Sequence, residues 1–188
     1  MTSEAQAVAD TLRWLERAVI GLNLCPFAKA VHAKGQVHVA VHLPDDEAGL
    51  LEALRSEADE LLRLDPAERD TTLLVAPHAL HDFMEFTGWV GWAEGRLRRA
   101  GHEGVLQLAS FHPRFQFAGT QAGDIGNATN RSPYPTLHLL REDSVERAVR
   151  AFPDAAEIFG RNIARLEALG DAGWRALDVG PHDEGTPE

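Results

Sequence analysis

A single thiol, Cys25, sits in the run Leu24-Cys25-Pro26-Phe27. Proline suits the first position of a helix, so a helix starting at Pro26 makes Cys25 its N-cap, where the dipole and unpaired N–H groups stabilise a thiolate. Cys25 is then a nucleophile. The other reading is a small buried hydrophobe beside Phe27. One cysteine allows neither a disulfide within the chain nor a cysteine-built zinc cage.

Three imidazoles, His42, His78 and His112, fall at or just after the carboxyl ends of three apolar runs that read as strands. Ligands collect at that edge of open α/β sheets. If the strands are parallel and adjacent, the three rings approach one another and give either a metal site or a base for Cys25. Isolated surface histidines are the alternative. His78 and Asp82 are spaced for the carboxylate to fix the ring tautomer, or for an ordinary helix cap. Pro113 rigidifies the exit from the third strand and aims His112, which suits a general base.

Residues 127–135, Asn-Ala-Thr-Asn-Arg-Ser-Pro-Tyr-Pro, pack amides, hydroxyls and a guanidinium into one short stretch. Arg131 can grip a carboxylate or phosphate with two prongs, and Asn127, Asn130 and Ser132 can complete an anion clamp. Alternatively the segment satisfies itself, with Arg131 paired to Asp124 or Glu142.

These residues need a scaffold. Ser3 and Gln6 have capping-box spacing before an apolar stripe that runs from Ala5 to Val19 and ends at Gly21. Residues 36–43 alternate, with Val37, Val39, Val41 and Leu43 on one face of a strand. A helical stripe (Leu50, Leu54, Ala58, Leu61) follows, then an apolar run at 71–76 that reads as a central strand. Phe83, Phe86, Val90, Ala93 and Leu97 mark a helix capped by Gly101. Strands at 105–111 and 136–140 bracket a long aperiodic loop, residues 112–135. Helices at 144–149 and 153–169, the second with Phe152, Ala156, Phe159, Ile163 and Leu166 on one face, close the domain. The order predicts an α/β (or α+β) single domain over residues 1–177. Its mixed, roughly four-stranded sheet is covered by helices, and residues 178–188 form a flexible tail.

The 188 residues carry a net charge of -11, with 44% hydrophobic and 25% charged residues. That balance disfavours nucleic acid and anionic lipid as partners, and no apolar run is long enough for a membrane span. The polar start lacks a secretory signal, which points to the cytoplasm. There is neither a G-x-G-x-x-G nor a G-x-x-x-x-G-K-[ST] motif, so no nucleotide cofactor is expected, nor any other cofactor.

Residues 22–27, 71–78, 110–113 and 127–142 together resemble the bacterial family catalogued as domain of unknown function 1415, the last block most specifically. The resemblance spans most of residues 5–170. It implies a single-domain cytoplasmic protein and assigns no activity. Carried over residue by residue, it points to Cys25, His78, His112, Asn127, Asn130, Arg131 and Ser132. With the chemistry above, the expectation is a thiol/histidine-dependent hydrolase or group transferase acting on a small anionic metabolite. In it Cys25 is the nucleophile, His112 or His78 the base, and Asn127, Asn130, Arg131 and Ser132 hold the substrate. The alternatives are a small-ligand-binding or regulatory protein without catalysis, and a histidine-bound metal protein.

Overall fold

A computed structural model describes residues 2–151 and 157–182. Helix α1 (Glu4–Trp14) begins where Ser3 accepts a hydrogen bond from the Gln6 amide, at 3.2 Å. It continues as a π-helical segment, Leu15–Ile20. Gly21 ends that segment, and a Cβ there would lie 2.3 Å from the Arg17 carbonyl oxygen, so no other residue fits without moving the backbone. After α2 (Ala28–Ala33) come β1 (Val37–Val41), α3 (Glu47–Arg63), β2 (Thr71–Val75), α4 (Phe83–Leu97) and β3 (Leu106–Phe111). A long loop containing a 3-10 turn (Ile125–Asn130) leads to β4 (Thr136–Arg141), α5 (Glu142–Ala151) and α6 (Ile158–Ala176). The first part of the helix expected at 153–169, with Phe152 and Ala156 of its face, lies outside the described residues.

The four strands form one mixed sheet in the order β1-β2-β4-β3. β1 and β2 are parallel, and β4 is antiparallel to both β2 and β3. Every residue of β2 is buried, as an interior strand covered on both faces requires. The register puts Val37, Val39, Thr71, Leu73, His138, Leu140, Ala109 and Phe111 on one face, and Ala40, Leu74, Leu137, Leu139, Leu106 and Leu108 on the other.

The two faces are covered differently. Over the second, the apolar stripes of α3 and α4 interlock with the sheet in one continuous core that includes Leu50, Leu54, Leu61, Phe86, Trp89, Ala93, Leu137 and Leu139. Over the first lie α1 and its π-helical extension, which pack Trp14, Leu15, Ala18 and Val19 against Leu73, Val37, Val39 and Phe111. Trp14 meets Phe111 edge-on, with ring centroids 5.1 Å apart. Helix α6 packs on the long loop through Leu166 and Ala128, with Leu24, which precedes Cys25, in the same cluster.

Residues 178–182, the start of the stretch expected as a flexible tail, make contacts with α1. Val179 is buried against α1. Arg13 donates to the carbonyls of Asp178 (2.8 Å) and Gly180 (3.0 Å), and Arg17 to that of Leu177 (3.0 Å). The His182 amide donates to Asp10 (3.1 Å), which also accepts from the Tyr134 hydroxyl (2.6 Å). Burial alone would raise the Asp10 pKa, but hydrogen bonds from Tyr134, the His182 backbone, Arg13 and Gln6 outweigh it and hold the carboxyl below its ordinary value. Burial, and after it the hydrogen bond to the Asp10 carboxylate, pushes the Tyr134 hydroxyl well up. A buried carboxylate with this many donors anchors residues 178–182, whose composition hides the role. Residues 183–188 lie outside the described residues.

Candidate functional site

Between the first sheet face and its helical cover lies a cavity of about 320 Å³. Its apolar wall comes from Trp14, Leu15 and Val19 of the α1 extension, Val31 of α2, Leu73 and Phe111 of the sheet, and Val145 of α5. The π-helical segment widens the helix where Leu15 and Val19 face this space, a distortion frequent beside binding sites. Cys25, half-buried, is part of the same lining.

Among the polar groups of the lining is His138, on β4 between the buried Leu137 and Leu139. Its Nε2 lies 2.6 Å from Thr71 Oγ1, which lies 2.7 Å from the Leu139 carbonyl oxygen. Phe111 packs against the ring with centroids 6.0 Å apart. Burial among these groups pushes the His138 pKa down to about 4, so the ring is neutral at pH 7. At the α5 side the lining turns polar, where Ser144 donates to Asp70 at 2.6 Å. The arginine of the lining, Arg141, directs its guanidinium at the carbonyls of Leu61, Leu64 and Arg69, capping the end of α3.

The residues singled out in the sequence are dispersed around this geometry. Cys25 reaches the cavity but is not a helix N-cap: α2 starts three residues later, and the Cys25 carbonyl accepts from the Ala28 amide in an intervening turn (3.3 Å). His112 lies beyond the opposite sheet face, packed between Phe83 and Phe86. The Arg114 amide donates to its Nδ1 (3.0 Å), so Nε2 carries the proton and donates to the Leu80 carbonyl (3.1 Å). Burial depresses its pKa, opposed by the Leu80 contact. With both ring nitrogens occupied, His112 holds the exit of β3 to the start of α4 and cannot serve Cys25 as a base.

His78 turns to the Thr2 carbonyl (3.1 Å) rather than to Asp82, which caps α4 through the amides of Met84 (2.9 Å) and Glu85 (3.1 Å). His42 bonds the Asp46 carbonyl (3.2 Å). The three histidines do share one sheet edge, because β1, β2 and β3 run in the same direction. The antiparallel β4, however, separates β3 from β2, and each ring has found a different carbonyl. Among the described residues no group of three potential ligands gathers for a metal.

The loop 112–135 satisfies itself. Asn127 is fully buried, accepts from the Phe117 amide (3.0 Å) and the Thr120 hydroxyl (2.9 Å), and donates to the Gln121 carbonyl (2.8 Å). Arg131 donates to the carbonyls of Phe115 (3.3 Å) and Ala122 (2.7 Å), and so meets neither Asp124 nor Glu142 in the way its spacing suggests. Asn130 bonds the Ser110 carbonyl (3.4 Å) and Ser132 that of Tyr134 (2.5 Å). Amides, hydroxyl and guanidinium thus replace the ladder partners that a loop without strands lacks.

Fold and cavity together define a mixed α/β protein with a small chamber under one sheet face. The family model described as Protein of unknown function (DUF1415) matches residues 6–176, and the chain belongs to that family. No curated protein and no solved structure matches it. No helix of the described residues is long and apolar enough to cross a membrane.

Proposed function

We propose that this is a cytoplasmic small-molecule-binding protein whose ligand is compact and mainly apolar and occupies the cavity between the α1 extension and the sheet. The observation that carries this reading is the cavity itself. Its volume falls near the lower end of the roughly 300–1,000 Å³ common for small-molecule sites, and its wall is almost wholly hydrocarbon and aromatic with few polar groups. An anionic metabolite has less support, because the guanidinium of Arg141 is committed to three carbonyls and Arg131 to two others. Titrating ¹⁵N-labelled protein with ethylbenzene tests the reading. The expected result is saturable shifts at Trp14, Cys25, Ala109 and His138, lost in Ala109→Leu, which fills the space. Shifts scattered over the surface, or none, would overturn it.

A second reading is supported by the presence of Cys25 and His138 in one lining: a thiol/histidine-dependent hydrolase or group transferase, with His138 in the part expected of His112. In such a step the Cys25 sulfur forms a bond to an acyl carbon as the bond to the leaving oxygen breaks. The thiol proton passes through the imidazole to the departing alcohol. Intact-mass measurement after incubation with phenyl acetate should then show one acetyl group, absent in Cys25→Ser and slower to form in His138→Gln. An unmodified protein would leave the chamber a binding site without this chemistry.

A further inference from the structure

The hydroxyl proton of Thr71 has two neighbours to choose between, the Leu139 carbonyl oxygen at 2.7 Å and His138 Nε2 at 2.6 Å. A carbonyl can only accept, whereas an imidazole nitrogen can donate. One arrangement satisfies both contacts: Thr71 donates to Leu139, and His138 Nε2–H donates to the Thr71 oxygen. In a neutral ring the other nitrogen, Nδ1, then carries a lone pair. Nδ1 has no hydrogen-bond partner among the described residues, and it is not among the buried polar atoms sealed without one. The ring lines the cavity, so the lone pair is available to an occupant.

Around His138 the lining includes Leu73 and Ala109, which pair with it across the sheet, and Phe111, whose ring packs on it. Such surroundings favour a neutral partner over a charged one, since an ion would lose its hydration while the arginine of the lining, Arg141, already donates to three carbonyls and Asp70 is itself an anion. A carboxylate would also set acceptor against acceptor. On the reading that the cavity holds a small molecule, we propose that His138, oriented by Thr71, selects a neutral hydroxyl donor on an apolar body, the chemistry of a phenol. Thr71 acts as a positioning residue: its hydroxyl fixes which ring nitrogen faces the ligand.

Titration of the full-length ¹⁵N-labelled protein at pH 7 with 4-ethylphenol, 4-ethylanisole, 4-ethylbenzoate and ethylbenzene tests this. The phenol should bind about tenfold more tightly than the anisole, which keeps the body and lacks the donor. It should also move the His138 Nδ1 resonance, and the benzoate should fail to compete. The ring should show the Nε2–H signature in the free protein. Thr71→Val should mix the two tautomers and shrink the ratio of phenol to anisole affinity; His138→Phe should abolish the preference. If ethylbenzene binds and phenol and anisole are equal, or if the free ring carries its proton on Nδ1, donor selection is wrong and the binding site stands. If none of the four binds, both fail.

Discussion

Two histidines, one beyond each face of the same sheet, have opposite fates. His112 is sealed between Phe83 and Phe86, with a donor on one nitrogen and an acceptor on the other. His138 has one nitrogen held by Thr71 and the other turned to open space. The difference follows the packing around them. Over Glu47–Arg63 and Phe83–Leu97, α3 and α4 seat complementary apolar stripes on their face and leave a closed core, α4 passing into a π-helical turn, Arg98–His102, only beyond its last core residue. A helix interrupted by a π-helical segment, the Cys25 turn and a short α2 cover the other face, and the fit is incomplete. An imidazole in close packing becomes structure; the same group beside a gap stays available for recognition.

The sharpest way to break that comparison is to delete each ring. His112→Ala should cost about 3–5 kcal/mol, because it opens a cavity and strands the Leu80 carbonyl and the Arg114 amide. His138→Ala should cost only about 1 kcal/mol, because the Thr71 hydroxyl keeps Leu139 and the space beside the ring is already open. Urea denaturation of both variants measures this, and equal losses would undo the contrast.

Acid gives the next largest effect. With His138 held near pKa 4 in the fold and an ordinary value of 6.5 when unfolded, the unfolded chain binds more protons between those values. The stability from the neutral ring is therefore complete above pH 6.5 and declines as pH falls toward 4, by up to about 3 kcal/mol. His112, shifted the same way, adds to the slope. Denaturation midpoints from pH 7 to pH 4 should fall more gently in His138→Gln than in the parent. An unchanged slope would mean that the His138 ring is not kept neutral by burial.

The smallest contrast comes from enlarging matched alanines. Ala93, fully buried in the α4 core, should tolerate leucine badly, losing about 1–3 kcal/mol to overpacking. Ala109, in the cavity wall, should accept leucine with little loss or a gain of up to about 1 kcal/mol as methylenes enter vacant space. Thermal melts of the pair decide it, and the reverse ranking would place the loose packing on the wrong face.

Much of the architecture was legible from periodicity. The alternation of Val37, Val39 and Val41 marks β1, and the unbroken apolar run of β2 announces an interior strand. The stripe from Leu50 to Leu61 defines α3, and Gly101, at φ 92, ends the helical stretch as its type requires. The site was less legible. Polar density drew attention to residues 127–132, but in a long loop those groups are consumed by the loop's own backbone. His138 is marked by no motif and stands in the sequence as one residue of a short strand. Yet the signal was present: Thr136 and His138 alternate with Leu137 and Leu139, and a polar period-two face on a strand covered from both sides needs a partner or a cavity. Cys25 was visible as the lone thiol; that it shares its surroundings with residue 138 depends on pairing across the sheet, which spacing along the chain does not encode.

The anchoring of residues 178–182 on α1 also bears on biosynthesis. Asp10 is made well before two of its hydrogen-bond donors, Tyr134 and the His182 amide. Until then α1 carries a carboxylate that stays hydrated rather than buried. The packed side of the sheet, built from segments between residues 47 and 141, can therefore consolidate first. The chamber acquires its lid after the packed side, once residues 178–182 are available to hold α1.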